Sequence, residues 1–588
     1  MIRPSEAFDL GRDKTRMKDP RDALRQQETV KVLLDRFFHS NSGQRSEIQI
    51  LADEVGMGKT FVALATAFSL LEAMQNGVYQ EDLRGCYQRV LIITPPNQAL
   101  FTKWKQEIGE FVKRCVINEE DRREAQRWFA PESVTRIDDL SSALRRRGFS
   151  PRILVTTMNL FQGAKLRHYD LKRRFLLGVL FRYWGNRFRY ELRRNLLKGA
   201  PDGWPRRADE LTDVTDDEWD LLHFDEAEVQ WAMDRIAREE DIGRGIGSLE
   251  DLLELCREIA QPYTRSRDEL FRKVERRLTI LYKALSACLI RQAFPLVIVD
   301  EAHNWKNGPS AGTNGYWEFA KYIASRTRRA LLLTATPFQL RPDELLEILR
   351  ISDDMEPCPT QKESARRREY LMKFREDTIR PVLKNSADSS RRFSKEWSRL
   401  SRDTSMEDFT QLWHGEALAG ARHELQELAG LHGKVPDSLM AAIIDKAARH
   451  ADPDVRPFVK EALRLYTYNA DLSSELGRLV IRHRRQTGHR LFLVGKEFED
   501  LPAHVAQRPD SHVLHGAAGL DVRGEGELPH YLLMRCVTET KRIKGKRGRS
   551  SLGSALTGCY STLLTSAEGK AVKKWLHASA AGPADLEV

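Results

Sequence analysis

Five short apolar runs, rich in β-branched residues, recur at residues 48–52, 90–94, 153–157, 296–299 and 330–333, each bounded by turn-forming residues. Continuous runs of this kind suit strands buried on both faces, and helical stretches separate them. Strand alternating with helix predicts a parallel sheet with helices on both sides, an α/β architecture. At 588 residues the chain holds roughly four domain-sized units and can bury a core without disulfides. Its seven cysteines are scattered, odd in number and form no Cys-x-x-Cys pair, which argues against a disulfide framework or a structural zinc site and fits a reducing cytoplasm. No apolar run approaches the roughly 18 residues of a membrane span, and the start Met-Ile-Arg-Pro-Ser-Glu shows no secretory leader. The net charge of +10 permits a polyanionic partner without demanding one.

Three of the five runs end in chemistry. The first leads into Leu51-Ala-Asp53-Glu54-Val-Gly56-Met57-Gly58-Lys59-Thr60, followed by a helical run over 61–74. Strand, glycine-rich loop and helix in that order make a phosphate-binding loop. Gly56 and Gly58 let backbone amides approach phosphates, Lys59 reaches the β- and γ-phosphates of ATP, and Thr60 ligates Mg2+. Asp53 stands where the usual pattern has its first glycine. The run at 296–299 delivers Asp300 and Glu301, then His303. Asp300 suits a magnesium ligand, and Glu301 suits the base that orients and deprotonates the attacking water. A second Asp-Glu-Ala, at 225–227, lacks a preceding apolar strand and reads as a solvated helix face. The run at 330–333 ends in Thr334-Ala-Thr336-Pro337, hydroxyls able to link the acidic pair to substrate position.

These blocks, in this order, resemble the superfamily 2 helicase-like ATPases, with their DEAH-type acidic box. More narrowly they are similar to the Swi/Snf-type DNA translocases, including the bacterial RapA/HepA-like branch. The narrowing rests on Asp53–Thr60 and on Asp300-Glu301-Ala-His303-Asn-Trp-Lys306-Asn307. Ile92-Ile-Thr-Pro-Pro with Trp104 downstream, Val155-Thr-Thr157 and Thr334-Ala-Thr336-Pro337-Phe-Gln339 look like further family motifs. Gln26-Gln-Glu-Thr-Val30 resembles the adenine-reading glutamine motif, with Gln26 favoured over Gln27. The likeness covers about residues 20–165 and 290–350. It implies a RecA-like P-loop NTPase lobe that binds ATP and Mg2+ and translocates on double-stranded DNA. It also gives Asp53, Glu54, Gly56, Met57, Gly58, Lys59 and Thr60 to the nucleotide, and His303, Thr334 and Thr336 to coupling. The Lys306-Asn307 pair argues against an RNA helicase.

On this division, residues 1–165 and 291–350 form the two halves of the ATP-binding lobe, 166–290 a charged helical insertion, and 351–588 a helix-rich region. The insertion is split by charge: 13 Lys/Arg against 3 Asp/Glu over 165–207, then 17 Asp/Glu against 3 Lys/Arg over 209–254. Its first half interleaves cations with aromatics, as in Phe181-Arg-Tyr-Trp and Arg187-Phe-Arg-Tyr. Either it is a nucleic-acid-contacting arm or its two halves pair with each other as a helical hairpin. Leu479-Val-Ile-Arg482 looks like the basic segment that precedes the family's second lobe. That lobe's Q-x-x-G-R-x-x-R motif, with its arginine finger, has no match, and the residues after Arg549 are too few for a second sheet. The expectation is therefore a DNA-dependent ATPase completed by a second polypeptide, or else an ATP- and DNA-binding module without turnover of its own.

Overall fold

In a computed structural model, residues 2–17, 20–39, 46–53, 57–78, 81–146, 151–160, 169–206, 225–238, 247–261, 267–305, 319–320, 322–334, 342–397, 399, 411–430, 437–481, 484–485 and 509–510 are described. The expected strands form: β1 Ile48–Leu51, β2 Val90–Thr94, β4 Ile153–Thr157, β5 Val297–Val299 and β6 Ala330–Leu333. Two short strands join them, β3 Pro131–Ser133 and β7 Val480–Ile481. All pair in parallel, in the order β3-β4-β2-β5-β6-β1-β7.

Period-two alternation splits the strand residues between two cores. Ile48, Ile50, Leu91, Ile93, Leu154, Val297, Val299, Ala330 and Leu332 face one side. Leu51, Val90, Ile92, Ile153, Val155, Ile298, Leu331 and Leu333 face the other. That second side is covered by α1 Pro20–Phe38, α2 Lys59–Gln75, α3 Gln98–Cys115 and α4 Glu119–Trp128. The first side is continuous with α5 Ile137–Arg145, α6 Tyr169–Trp184, α7 Tyr190–Leu197, α8 Glu226–Ile236, α9 Leu249–Ile259 and α10 Arg267–Cys288. The stretch between 166 and 290 thus shares one apolar core with the sheet instead of standing off it as a separate hairpin.

Within that layer three of the aromatics interleaved with cations point inward, Phe181, Trp184 and Phe188, while Tyr183 is half-buried and Tyr190 exposed. Arg182 pairs with Glu226 at 2.6 Å, and Arg187 pairs with Glu250. These pairs join the basic half to the acidic half, but both are solvent-exposed and worth little each. Burial of the rings holds the layer. The second Asp-Glu-Ala caps α8: Asp225 accepts a hydrogen bond from the Glu228 N–H, and Glu226 stays exposed.

Past β6 the chain leaves the sheet through α11 Pro342–Leu349, α12 Ile351–Asp354 and α13 Gln361–Lys373. One turn of π-helix, Phe374–Ile379, carries α13 into α14 Arg380–Trp397. Together with α15 Glu416–Gly430, α16 Asp437–Ala448 and α17 Arg456–Leu476, the distal part of α14 builds a separate core. Helix α17 then returns the chain to β7, whose Leu479 and Ile481 carbonyls accept from the N–H groups of Ile50 and Ala52. A strand in this helix-rich region was not expected from the sequence. Arg482 and 541–549 lie outside the described residues.

Among the described residues no helix is long and apolar enough to cross a membrane. Burial pushes the thiols of Cys115 and Cys256 up to about 12, so both act as packing residues.

One buried polar cluster ties three helices of this layer, α5, α6 and α10, together. Lys172 of α6 donates to Asp138 of α5 at 2.5 Å, and the Tyr282 hydroxyl of α10 donates to the same oxygen at 3.2 Å. Burial alone would raise the Asp138 carboxyl, but Lys172 and Arg136 hold it below its usual value. Removing one partner of a buried pair leaves an uncompensated charge. Lys172→Met should lose ~3–5 kcal/mol by chemical denaturation at neutral pH. Adding Asp138→Asn should recover most of that. Because the folded carboxyl titrates below the ordinary 3.8, the advantage of wild type over Lys172→Met should shrink as pH falls below that value.

Candidate functional site

In a parallel sheet the loops after each strand gather at one edge, and here Asp53, Lys59, Thr60, Asp300, Glu301, His303 and Thr334 all follow strands of the sheet at that edge. After β1, Asp53 is buried with no solvent exposure. Gly58 caps α2 with a left-handed backbone, φ 88°. Lys59 opens that helix and its Nζ donates to the Asp53 carbonyl at 2.6 Å. Thr60, half-buried, follows in the first turn. Glu54 and Gly56 lie outside the described residues.

Helix α1 braces this loop from behind. Gln26, 2 % exposed, donates through Nε2 to the Met57 carbonyl at 3.0 Å, while its Oε1 is buried without a hydrogen bond. Gln27 turns away to Asp9. Arg25 is the residue that sequence reasoning missed. Its Nη2 donates to the same Met57 carbonyl at 3.0 Å, and its Nη1 lies 3.4 Å from the Asp53 carboxylate. That contact accounts for Asp53 in place of the usual glycine: a carboxylate buried at the loop's start is matched by a buried guanidinium. Position 25, directly before the glutamine motif, was the only signal available.

The acidic pair sits two strands away, since β6 lies between β1 and β5. Asp300 is fixed through its main-chain N–H to the Ile93 carbonyl of β2, at 2.8 Å. Its Oδ1 accepts from the Glu301 N–H at 3.0 Å and its Oδ2 from the indole N–H of Trp104 at 2.7 Å. Burial raises the Asp300 carboxyl above its usual value, with Glu301 adding to the effect. The Trp104 hydrogen bond and the Lys59 ammonium work against it.

Glu301 adopts φ 49°, the only non-glycine residue with positive φ among those described. His303, in the 3-10 turn Ala302–Trp305, places Nδ1 3.2 Å from Glu301 Oε2 and 3.3 Å from Thr334 Oγ1. Thr334 in turn donates its main-chain N–H to the Leu51 carbonyl of β1 at 3.1 Å. A chain of contacts therefore runs from acidic strand to hydroxyl strand to loop strand. Thr336, Lys306, Asn307 and Gln339 lie outside the described residues.

Chemically, the described residues of this edge offer Lys59, the N-terminus of α2, the hydroxyls of Thr60 and Thr334, and the adjacent carboxylates Asp300 and Glu301. Thr60 and Asp300 are hard oxygen donors of the kind Mg2+ takes when phosphate oxygens and waters complete its shell. The unpartnered Gln26 Oε1 is a buried acceptor facing the loop side of α1. No protein-family model matches the chain, and no curated protein matches it either.

A methyl group at Gly58 would lie 2.2 Å from Gln26 Nε2, on a backbone that side chains rarely adopt. Gly58→Ala should therefore destabilise the fold by ~1–3 kcal/mol in urea titration. Adding Gln26→Ala should return the steric part and leave the backbone part.

Proposed function

We propose that this chain is a helicase-like motor lobe of the superfamily 2, Swi/Snf type, which binds ATP with Mg2+ and hydrolyses it in response to double-stranded DNA. The observation that supports this reading is that Lys59, Asp300, Glu301 and Thr334 follow three strands of one all-parallel sheet, with β6 between the strands that lead to the glycine loop and to the acidic pair.

In this reading Lys59 exchanges its bond to the Asp53 carbonyl for a phosphate oxygen, and the positive end of the α2 dipole adds to the cradle. Gln26 reads the base, with Arg25 holding the loop at a fixed distance behind it. Thr60 and Asp300 hold the metal. When bound, Mg2+ neutralises developing charge on the phosphates. Glu301 orients the attacking water and accepts its proton, and His303 with Thr334 relays the state of the acidic pair toward β1. The arginine that neutralises the transition state belongs, on this reading, to a second lobe, whose Q-x-x-G-R-x-x-R motif does not occur in these 588 residues. Such a residue is worth on the order of 10³–10⁵ in rate. Without it the chain is an ATP- and DNA-binding module of slow turnover.

Three substitutions test the assignment. Lys59→Ala should abolish ATP binding without unfolding the chain. Glu301→Gln should keep binding and stop turnover, measured as steady-state ATPase with duplex DNA and any complementing lobe. Glu226→Gln, in the other Asp-Glu-Ala, should change neither. Unchanged affinity in a folded Lys59→Ala chain rejects the proposal, and robust DNA-stimulated hydrolysis by the chain alone rejects the need for a second lobe. DNA affinity should fall steeply with salt, as counterion release demands.

A further inference from the structure

We infer that Trp104 is a positioning residue for Asp300, whose carboxylate it holds in the orientation from which a divalent cation is bound; this rests on the nucleotide-binding reading above. Trp104 lies on α3 with its ring inside the core under the sheet and only 2 % exposed. An indole has one N–H and no acceptor, so a buried tryptophan can satisfy a single partner. Here that partner is the Asp300 Oδ2, 196 positions along the chain, at 2.7 Å. The Glu301 N–H takes the other oxygen. Each carboxylate oxygen keeps a lone pair beyond the one engaged, so the two donors fix the plane of the group without using up its capacity to bind a cation.

The same β–loop–α unit supplies two of the three restraints on Asp300, the third being the Glu301 N–H. Strand β2 provides the Ile93 carbonyl for its main chain, and α3, which follows β2 directly, provides Trp104 for its side chain. Without the indole N–H the carboxylate is free to turn about its side-chain torsions, and Oδ2 loses the side-chain donor it has among the described residues. Hydrogen-bond partners of metal ligands are worth roughly 10–100-fold in metal affinity.

The test titrates Mg2+ into the full chain with a fluorescent non-hydrolysable ATP analogue and follows nucleotide binding by anisotropy. Wild type is compared with Trp104→Phe and with a chain carrying 3-benzothienylalanine at position 104, in which sulfur replaces the indole N–H and the shape is kept. The Mg2+ concentration for half-maximal binding should rise about tenfold or more in both variants. Nucleotide affinity in EDTA should stay at the wild-type level, and the benzothienyl chain should melt with wild type. A purely structural tryptophan would leave the Mg2+ requirement alone. An unchanged requirement in the benzothienyl chain, with wild type binding normally, overturns this inference and leaves the nucleotide reading standing. A wild-type chain that binds no nucleotide at any Mg2+ concentration overturns both.

Discussion

A sheet whose strands all run one way sorts the polarity of everything attached to it. Helix N-termini, with unsatisfied N–H groups, collect at the carboxyl edge beside the glycine loop and the acidic pair. Helix C-termini, with unsatisfied carbonyls, collect at the opposite edge. Arginines near the starts of strands meet that second demand. Arg89 donates to the Ala143 carbonyl at the end of α5, Arg326 to Ile290 after α10, and Arg329 to Phe37 at the end of α1. Arg329 has no solvent exposure and also donates to the Pro357 carbonyl and pairs with Asp82. One guanidinium thus joins the start of β6, the end of α1 and the segment that leaves the sheet.

The five runs were legible as strands because burial on both faces makes a strand uniformly apolar. The alternation that assigns each residue to one core or the other is invisible in such a run and emerges only with the sheet. β3 and β7 were not legible, for opposite reasons. Pro131–Ser133 is partly exposed and polar, and Val480–Ile481 is too short to stand out from a helical, charged context. The site followed the same division. Asp300, Glu301 and Thr334 follow strand ends and Lys59 opens the helix after the β1 loop, so local pattern placed them. Their restraints come from far away in sequence, Arg25 on Asp53 and Trp104 on Asp300, and no spacing announces them.

The charge-split stretch shows what composition can and cannot decide. Opposite net charges on adjacent halves suit pairing, and such pairs form. Exposed ion pairs are too weak to choose a fold. The position of Phe181, Trp184 and Phe188 inside the core, as the layer over one face of the sheet, is what distinguishes a structural layer from an exposed stacking surface. Amphipathic helices and base-stacking arms share the same alternation of cations and rings; only burial separates them.

The left-handed backbone at Glu301 carries a consequence for lineage. A side chain there costs about 1–2 kcal/mol of conformational strain that glycine would not incur. Selection for stability by itself favours glycine, or an asparagine that tolerates the same geometry, at position 301. On the reading proposed above, in which Glu301 serves the attacking water, a use for the carboxylate offsets that cost. On that same reading, position 301 is a tell-tale among homologues: glutamate where the hydrolysis is kept, drift to glycine or asparagine where only the fold is.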